Sequence, residues 1–323
     1  MIRIALILIF TSRVSFAGVS VNGNPGSLQS VATVWAGSQT NWPDALWIYK
    51  VAPQNFAEPV VSNLMAVGSF TDKNRTKAPS YLSDVDRKTI YFGNDSKYLA
   101  LCPTIGYVEY HDEGADARMG DPVIGVPDEN AVISLGLKYL RMAGIDQSQL
   151  AVRPETGSLA LHGEKRDRSY VDKNSGQRIE AIDSRGVFFL RRIDNINFTG
   201  MGIQGGAYIR FGNNSNVVDF KISWRNLIPH ELRSCPTPQQ IAEWIRSGRA
   251  ALMPGSGAIP NNVSRFMISR ATLFYDGRPG DESMDFASPY ALVDIAAEGE
   301  HGTNNITFKV PMTIATDAQR LIK

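Results

Sequence analysis

Residues 207–224 have the sequence AYIRFGNNSNVVDFKISW, in which apolar and polar side chains alternate on both sides of a turn. The turn itself, residues 212–216, consists of Gly, Asn and Ser. Successive side chains of a strand point to opposite sides, so Ile209, Phe211 and Phe220 belong to apolar faces. The segment therefore predicts an antiparallel hairpin with one buried face and one polar face.

Other runs of strand length occur along the rest of the chain. They are apolar or alternating, and most are bounded by turn residues. The predicted strands are residues 46–51, 89–92, 98–102, 105–110, 186–193, 266–275, 291–296 and 305–310. The charged segment 163–181 lies before one of them and is expected to be a connector or an exposed hairpin.

Two segments have the spacing and the ends of a helix. Residues 128–144 carry apolar side chains at helical intervals, begin with acidic residues and end at Gly144. Residues 237–248 begin with Thr237 as the N-cap, have Gln240 as its capping-box partner and end in glycine as well.

Each predicted helix is followed by strands, which indicates a repeated architecture. The expected fold class is α+β, with two helix-on-antiparallel-sheet units preceded by a β-rich N-terminal segment. The expected divisions are a signal peptide at 1–17, a β-rich region at 18–126, a first helix-plus-meander unit at 127–235 and a second helix-plus-sheet unit at 236–323.

This order of elements resembles the cystatin-like and PepSY-like modules of secreted bacterial proteins. The resemblance is carried by residues 127–145 with the strands of 186–224, and by residues 237–248 with the strands of 266–310. It implies modules that lack catalytic residues and that bind proteins or inhibit proteases. No functional residue is carried over, because the inhibitor pattern of Gln, two Gly and hydrophobic tips has no counterpart in this sequence.

The first seventeen residues have the layout of a secretory signal peptide. Arg3 gives a positive start, residues 4–10 are an apolar run, and Ser15 and Ala17 place small side chains at the two positions that a signal peptidase reads. The apolar run is shorter than the roughly 20 residues that span a bilayer. We expect cleavage after Ala17 and a secreted or periplasmic protein, with an uncleaved membrane anchor as the alternative.

The composition, 43% hydrophobic and 20% charged, is that of a globular chain. The formal net charge of the full 323 residues is +1, and loss of Arg3 and Arg13 with the signal peptide makes it −1. This balance gives no electrostatic reason to expect nucleic acid or an anionic membrane as a partner. No later apolar stretch is long enough for a transmembrane helix, so no integral membrane segment is expected after cleavage.

The chain has two cysteines, Cys102 and Cys235. An even count in an oxidising compartment is consistent with a disulfide between them. Two separate thiols are the alternative, because nothing in the sequence shows that the two residues are near each other.

No pattern in the sequence predicts a metal, a cofactor or a catalytic constellation. The histidines are scattered, and no His or Cys pair has the spacing of a zinc site. Residues 111–113, with Asp116 and Asp121, offer oxygen ligands of the kind Ca²⁺ prefers, but the EF-hand pattern is missing. We therefore interpret them as an acidic solvated loop.

The remaining signal is a group of tryptophans, Trp35, Trp42 and Trp47, near the N-terminus. Exposed tryptophans stack on sugars or contact protein partners, and the alternative is that they form a small core. The sequence favours a secreted or envelope-associated, non-catalytic binding protein whose partner is an unidentified protein or glycan.

Two alternatives to this function stay open. The first is an extracellular hydrolase that acts on glycans or cell-wall material with a dispersed carboxylate pair, for which Glu109 and Asp219 are the candidates. The second is a structural accessory to a membrane complex.

Overall fold

The computed structural model describes residues 28–37, 42–79, 88–94, 96–116, 122–153, 155–172, 174–199, 205–253, 255–260, 262–277 and 284–313. The predicted signal peptide, residues 1–17, and Asp121 lie outside these residues. Within them, no helix is long and apolar enough to cross a bilayer.

The described chain is mostly β-structure, and its helices are few. The helices are α1 Glu58–Gly68, α2 Glu129–Met142 and α3 Pro238–Arg246. The strands are β1 Ala32–Trp35, β2 Ala45–Ala52, β3 Arg75–Thr76, β4 Ile90–Gly93, β5 Lys97–Cys102, β6 Tyr107–Asp112, β7 Leu161–Val171, β8 Arg178–Leu190, β9 Arg192–Ile193, β10 Ile196–Thr199, β11 Gly206–Phe211, β12 Val217–Ser223, β13 Asn226–Ser234, β14 Ala251–Leu252, β15 Arg265–Asp276, β16 Phe286–Ala287, β17 Pro289–Gly299 and β18 Gly302–Pro311.

The chain divides into two compact units. Unit 1 consists of Met1–Asp44, Ser234–Thr272 and Tyr290–Lys323, and unit 2 consists of Ala45–Arg233 and Leu273–Pro289. Each unit is therefore assembled from segments that are far apart in the sequence.

Unit 2 is built on an eight-stranded sheet with the order β3-β4-β5-β6-β12-β11-β8-β7. Its described strand pairs are antiparallel, and the alternating apolar residues point to one face. That face is the core of the unit, where Phe220 and Ile222 of β12 pack in one cluster with Leu64 of α1 and with Val132 and Leu140 of α2.

The same unit contains a three-stranded sheet with the order β13-β2-β16. One long hairpin, β7 and β8, carries most of the charged segment that the sequence assigned to a connector or an exposed hairpin. The hairpin interpretation is confirmed.

Unit 1 is a smaller sheet with one helix. β14, β18, β17 and the first part of β15 are neighbours in order, and β1 pairs in parallel with β15. Ile241 and Ile245 of α3 are fully buried, and the rings of Phe266 and Phe308 lie 6.3 Å apart edge to face.

The predicted fold class, two helix-on-sheet units after a separate β-rich segment, is wrong. The predicted N-terminal strands β4, β5 and β6 do not form a separate region, because they hydrogen-bond into the same sheet as β8, β11 and β12. Helix α2 lies between these groups of strands in the sequence, so its position suggested a boundary that the sheet does not have. Strand pairing over long distances is set by tertiary packing, and periodicity gives no information about it.

The ends of both predicted helices are confirmed. At the end of α2, the N–H of Gly144 donates to the carbonyl of Arg141 and that of Ile145 to the carbonyl of Leu140, which is a Schellman motif. At the start of α3, the hydroxyl of Thr237 accepts from the N–H of Gln240 at 3.2 Å, and the Gln240 side chain accepts from the N–H of Thr237 at 2.8 Å.

Candidate functional site

The face of the eight-stranded sheet opposite the core, which we call the outer face, carries the polar and aromatic side chains of unit 2. On β12, Asp219 and Lys221 are on this face, while Phe220 and Ile222 are in the core. The sequence predicted this alternation for β11 and β12. What it did not show is which side chains of other strands lie beside these.

Glu109 lies on the outer face at β6, and its carboxylate contacts three polar side chains. Its carboxylate accepts hydrogen bonds from the hydroxyls of Tyr98 at 3.0 Å and Tyr107 at 3.1 Å, and it forms an ion pair with Lys221 at 3.2 Å. The residue is only 8% exposed, and a buried carboxylate needs such partners to stay charged. The carboxylate also helps to raise the pKa of Tyr107, although burial of the phenol is the larger cause.

Asp219 also forms an ion pair, in this case with Arg210. The Nε of Arg210 donates to Asp219 at 2.8 Å, and the guanidinium also lies 3.4 Å from Asp116. The two carboxylates that the sequence offered for a hydrolase, Glu109 and Asp219, are therefore on the same face of neighbouring strands. Each is held in its own ion pair, Glu109 with Lys221 and Asp219 with Arg210.

A row of three rings crosses the outer face near its edge. His162 of β7, Phe188 of β8 and Tyr208 of β11 are paired in register, with ring centroids 5.7 Å and 4.4 Å apart. We call these three residues the aromatic row. Phe188 and Tyr208 are half-buried and His162 is exposed, so the row presents ring surface to solvent.

The position of Tyr208 depends on a glycine. A Cβ added at Gly186 would lie 2.6 Å from the Tyr208 ring, so the absence of a side chain lets the ring lie across β8. Gly186 pairs in register with Glu164 of β7, whose carboxylate is near enough to the Tyr208 hydroxyl to affect its pKa. Burial is the largest cause that raises the pKa of Tyr208, and the neighbouring carboxylates of Asp219 and Glu164 raise it further.

Two concave surfaces adjoin the aromatic row at the edge strand β7. The first, which we call the edge pocket, has a volume of about 500 Å³ and is lined by Arg153, His162, Glu164, Phe188 and neighbouring aliphatic residues. Its size falls within the range of small-molecule sites. The pocket combines flat ring surface with a cation, an imidazole and a carboxylate.

The second surface, which we call the helix groove, lies between α2 and the strands β7 and β8. It has a volume of about 420 Å³ and shares Arg153 and Glu164 with the edge pocket. Glu129 from the first turn of α2 lines it, as do Lys165 and Arg185. Two carboxylates and three cations therefore surround an apolar floor.

The three predicted binding tryptophans are not equivalent. Trp35 and Trp42 belong to unit 1, where their rings meet edge to face at 5.9 Å. Trp47 belongs to unit 2, on β2, and is 37% exposed. A role in binding stays a prediction for all three.

Both cysteines are free thiols in the structure, which is the second of the two alternatives that the sequence left open. Cys102 is buried in unit 2, with its sulfur 3.4 Å from the hydroxyl of Thr89. Cys235 is in unit 1, where burial and the charge of Asp44 raise the pKa of its thiol to about 11.

The acidic side chains at the end of β6 and directly after it form contacts within the protein. Asp112 forms an ion pair with Lys97 at 2.9 Å and accepts from the N–H of Gly114, and Asp116 faces Arg210. Among the described residues, no group of three or more His, Cys, Asp or Glu side chains is placed to hold a metal ion.

Sequence reasoning missed the aromatic row, Arg153, Glu129 and Glu164. The sequence does hold part of the signal, because the alternation of β11 places Tyr208 opposite the core. The pairing of His162 with Phe188 was hidden, since it depends on the register between two long strands and not on either strand alone.

Comparisons with known proteins give no family. No protein-family model matches the chain, and no curated protein matches it. Among solved structures, an uncharacterized protein from Eubacterium rectale ATCC 33656 is 9% identical, with 86% of this chain and 85% of that chain covered and a TM-score of 0.36. A subtype N11 neuraminidase-like protein of A/flat-faced bat/Peru/033/2010 (H18N11) is 13% identical, with 70% and 46% covered and a TM-score of 0.12. TM-scores this low do not support any conclusion about function. The resemblance to cystatin-like and PepSY-like modules stays a prediction.

Proposed function

We propose that the protein is a non-catalytic binding protein and that its ligand is a glycan held against the aromatic row. The observation that carries the proposal is the edge pocket, in which the Phe188 ring lies beside Arg153, His162 and Glu164. The ligand class follows from the combination of a flat apolar surface with a few charged groups at its rim.

A sugar ring matches these two features. Its C–H groups form an apolar face that packs on an aromatic ring, and its hydroxyls both donate and accept hydrogen bonds. In the edge pocket, Arg153 supplies donors, Glu164 supplies acceptors and Phe188 supplies the ring. The ring of Tyr208 packs against the ring of Phe188, so the aromatic surface is organised before a ligand arrives.

The proposed place of action is outside the cytoplasm, on the basis of the signal-peptide layout of residues 1–17. N-terminal sequencing of the exported protein should begin at Gly18. Recovery of the protein with an intact Met1 would contradict this part of the proposal.

The test of the ligand class starts with an array of cell-wall and extracellular oligosaccharides. The oligosaccharide that is retained best is then titrated calorimetrically against the parent protein and two variants. Phe188→Ala is expected to weaken binding, and Phe286→Ala, which removes a 44% exposed ring on β16 of the three-stranded sheet, is the matched control. Retention of no oligosaccharide, or equal affinity of the parent and Phe188→Ala, would exclude a glycan on the aromatic row. Capture of a stoichiometric protein in place of a glycan would instead favour the partner class that the cystatin-like and PepSY-like resemblance implies.

A second candidate function, hydrolysis of a glycan, is favoured by one observation. Glu129 and Glu164 line the same helix groove, and glycoside hydrolases use a pair of carboxylates. Release of reducing sugar from the bound oligosaccharide, and its loss in Glu129→Gln, would support this function. Binding without turnover, unchanged in Glu129→Gln, would leave the non-catalytic proposal in place.

A further inference from the structure

Strand β7 lies at one end of the eight-stranded sheet, where β8 pairs with it on one side. Within the described residues, no strand of the sheet lies along its other side. Residues 162–167 are all exposed, so this part of the strand is open to solvent. We call the side of Leu161–Val171 that faces away from β8 the β7 edge.

The backbone of the β7 edge is suited to a further antiparallel strand. At the end of the hairpin, the N–H of Asp172 donates to the carbonyl of Gln177, so residue 172 bonds toward β8. Alternate residues of an antiparallel strand bond to the same neighbour, which directs the N–H and C=O groups of the odd-numbered residues of β7 outward. The irregularity in the hairpin leaves this alternation intact, because the extra residue, Asp183, lies in β8.

The charged side chains of β7 are complementary to a second copy of the same strand that runs antiparallel. When Arg166 lies opposite its own copy, Lys165 lies opposite Asp167, and Glu164 lies opposite Arg168. Opposite charges at directly opposed positions stabilise a pair of strands. This register also places odd-numbered residues opposite odd-numbered ones, as the direction of the backbone groups requires.

The ends of the strand match in the same register. Leu161 lies opposite Val171, and His162 lies opposite Tyr170. Val171 is 57% exposed in the single chain, and an apolar partner would cover it.

Charges on an edge strand usually oppose pairing with another chain, and here their order selects one register instead. A shift of two residues in one direction would place Lys165 opposite its own copy. The same shift in the other direction would place Arg166 opposite Arg168. In the selected register, the contact of Arg166 with its own copy has a Glu164 carboxylate diagonally on each side, within reach of a long side chain.

Lys165 and Asp167 are the best placed of these charges. Their side chains are 59% and 66% exposed, and they form an ion pair at 3.3 Å within β7. In the antiparallel pair, the two copies of these residues form a square of alternating charge. Each ammonium group then lies between two carboxylates, one from its own strand and one from the second copy.

We propose that the protein forms a two-fold symmetric dimer in which the β7 edge pairs with the β7 edge of a second copy, with Arg166 at the axis. The same surface is used by both copies, and the pairing joins their two sheets into one. Backbone hydrogen bonds supply the affinity, and the order of charges supplies the register. The proposal is separate from the aromatic row and does not depend on a glycan ligand.

The first test reverses single charges and measures association by sedimentation equilibrium. The parent protein should be in a monomer–dimer equilibrium. Lys165→Asp and Asp167→Lys should each raise the dimer dissociation constant by at least about tenfold, because each replaces two opposite-charge contacts by like-charge contacts. Glu113→Lys, at an exposed residue that follows β6, is the matched control and should leave the constant unchanged. A parent protein that is monomeric at every concentration, or equal constants in all variants, would overturn the proposal.

Mixing the two weakened variants tests the pairing itself. In a mixed dimer of Lys165→Asp with Asp167→Lys, the introduced carboxylate lies opposite the introduced ammonium group, and the native Asp167 lies opposite the native Lys165. The mixture should therefore dimerise about as well as the parent protein, although neither variant does so alone. Damage to the fold would not produce this rescue. A mixture that associates no better than its separate components would contradict the proposed register.

A disulfide locates the axis. The Cβ atoms of Arg166 and its copy would be about 4.5–5.5 Å apart, so Arg166→Cys should form a covalent dimer on mild oxidation. Ser169→Cys is the matched control, because this exposed residue would lie about 20 Å from its own copy. The parent protein, with its thiols at Cys102 and Cys235, gives the background. Equal yields of covalent dimer from Arg166→Cys and Ser169→Cys would show that the axis is not at Arg166 and that the proposal is wrong.

Discussion

The ring of Tyr208 lies 4.4 Å from the ring of Phe188, across the register pair that joins β11 to β8. The two rings pack against each other, and the carboxylate of Glu164 is near enough to the Tyr208 hydroxyl to help raise its pKa. This contact makes the edge pocket a preorganised surface, and it defines the first prediction.

Tyr208→Ala should weaken binding of an oligosaccharide at the aromatic row even though Tyr208 does not line the edge pocket. The loss should be about fivefold, which corresponds to about 1 kcal/mol for one aromatic pair. Tyr208→Phe keeps the ring and removes only the hydroxyl, so it should lose less. Calorimetric titration measures both, and a larger loss in Tyr208→Phe than in Tyr208→Ala would show that ring stacking is not the cause.

Gly106→Ala should destabilise the protein by about 2–4 kcal/mol, because it combines a left-handed backbone with a clash. Gly106 has a φ of 62°, and an added Cβ would lie 2.8 Å from the backbone of both Trp224 and Arg225. Urea unfolding measures the change.

Gly157→Ala is the matched control for this prediction. Gly157 has a φ of 66° but nothing within 4 Å of an added Cβ, so only the backbone penalty of about 1 kcal/mol remains. Equal losses of stability in the two variants would mean that the clash with the backbone of Trp224 and Arg225 adds nothing to the destabilisation caused by Gly106→Ala.

Thr237→Ala should cost about 1 kcal/mol, because it removes the hydroxyl that accepts from the N–H of Gln240 at the start of α3. The midpoint of urea unfolding reports the loss. Gln239→Ala, at an exposed position of the same first turn, should change the stability by less than about 0.5 kcal/mol. An unchanged midpoint in Thr237→Ala would show that the capping box does not stabilise unit 1.

Cys235 should react slowly with iodoacetamide at neutral pH. With a pKa of about 11, roughly one thousandth of the thiol is thiolate at pH 8. The alkylation rate should therefore rise about tenfold for each pH unit between 8 and 10. Cys235→Ser identifies the reacting thiol, and a rate that levels off near pH 9 would contradict the raised pKa.

The same raised pKa has a consequence for stability. The folded state keeps the proton of Cys235 more tightly than the unfolded state, whose thiol titrates at about its ordinary value of 9.0. The stabilising contribution is therefore complete below pH 9 and is lost as the pH rises from 9 to 11. The free energy of unfolding should fall more steeply over this range in the parent protein than in Cys235→Ser.

Local features of the chain could be predicted because their causes are local. The Schellman motif at Gly144 and the capping box of Thr237 with Gln240 involve residues a few positions apart, and both are present as expected. The polar face of β11 followed from its alternation. The charge of residues 163–181 predicted a connector or an exposed hairpin, and the structure has a hairpin there.

The candidate site could be predicted only in fragments. Tyr208 was placed opposite the core, but its partner Phe188 and the glycine beneath its ring belong to another strand. Glu109 and Asp219 were candidates for a catalytic carboxylate pair, and the structure gives each of them a cation from a neighbouring strand.

The sequence by itself determined where α2 and α3 begin and end, that segments such as β5, β11, β12, β15 and β17 are strands, and which side of β11 and β12 is apolar. These properties depend on backbone hydrogen bonds and side-chain periods within a few residues. Only the tertiary structure decided that β4, β5 and β6 join β8, β11 and β12 in one sheet, and that the rings of the aromatic row meet. Pairing and register between distant strands are chosen by how side chains pack across the whole sheet, and no single segment contains that information.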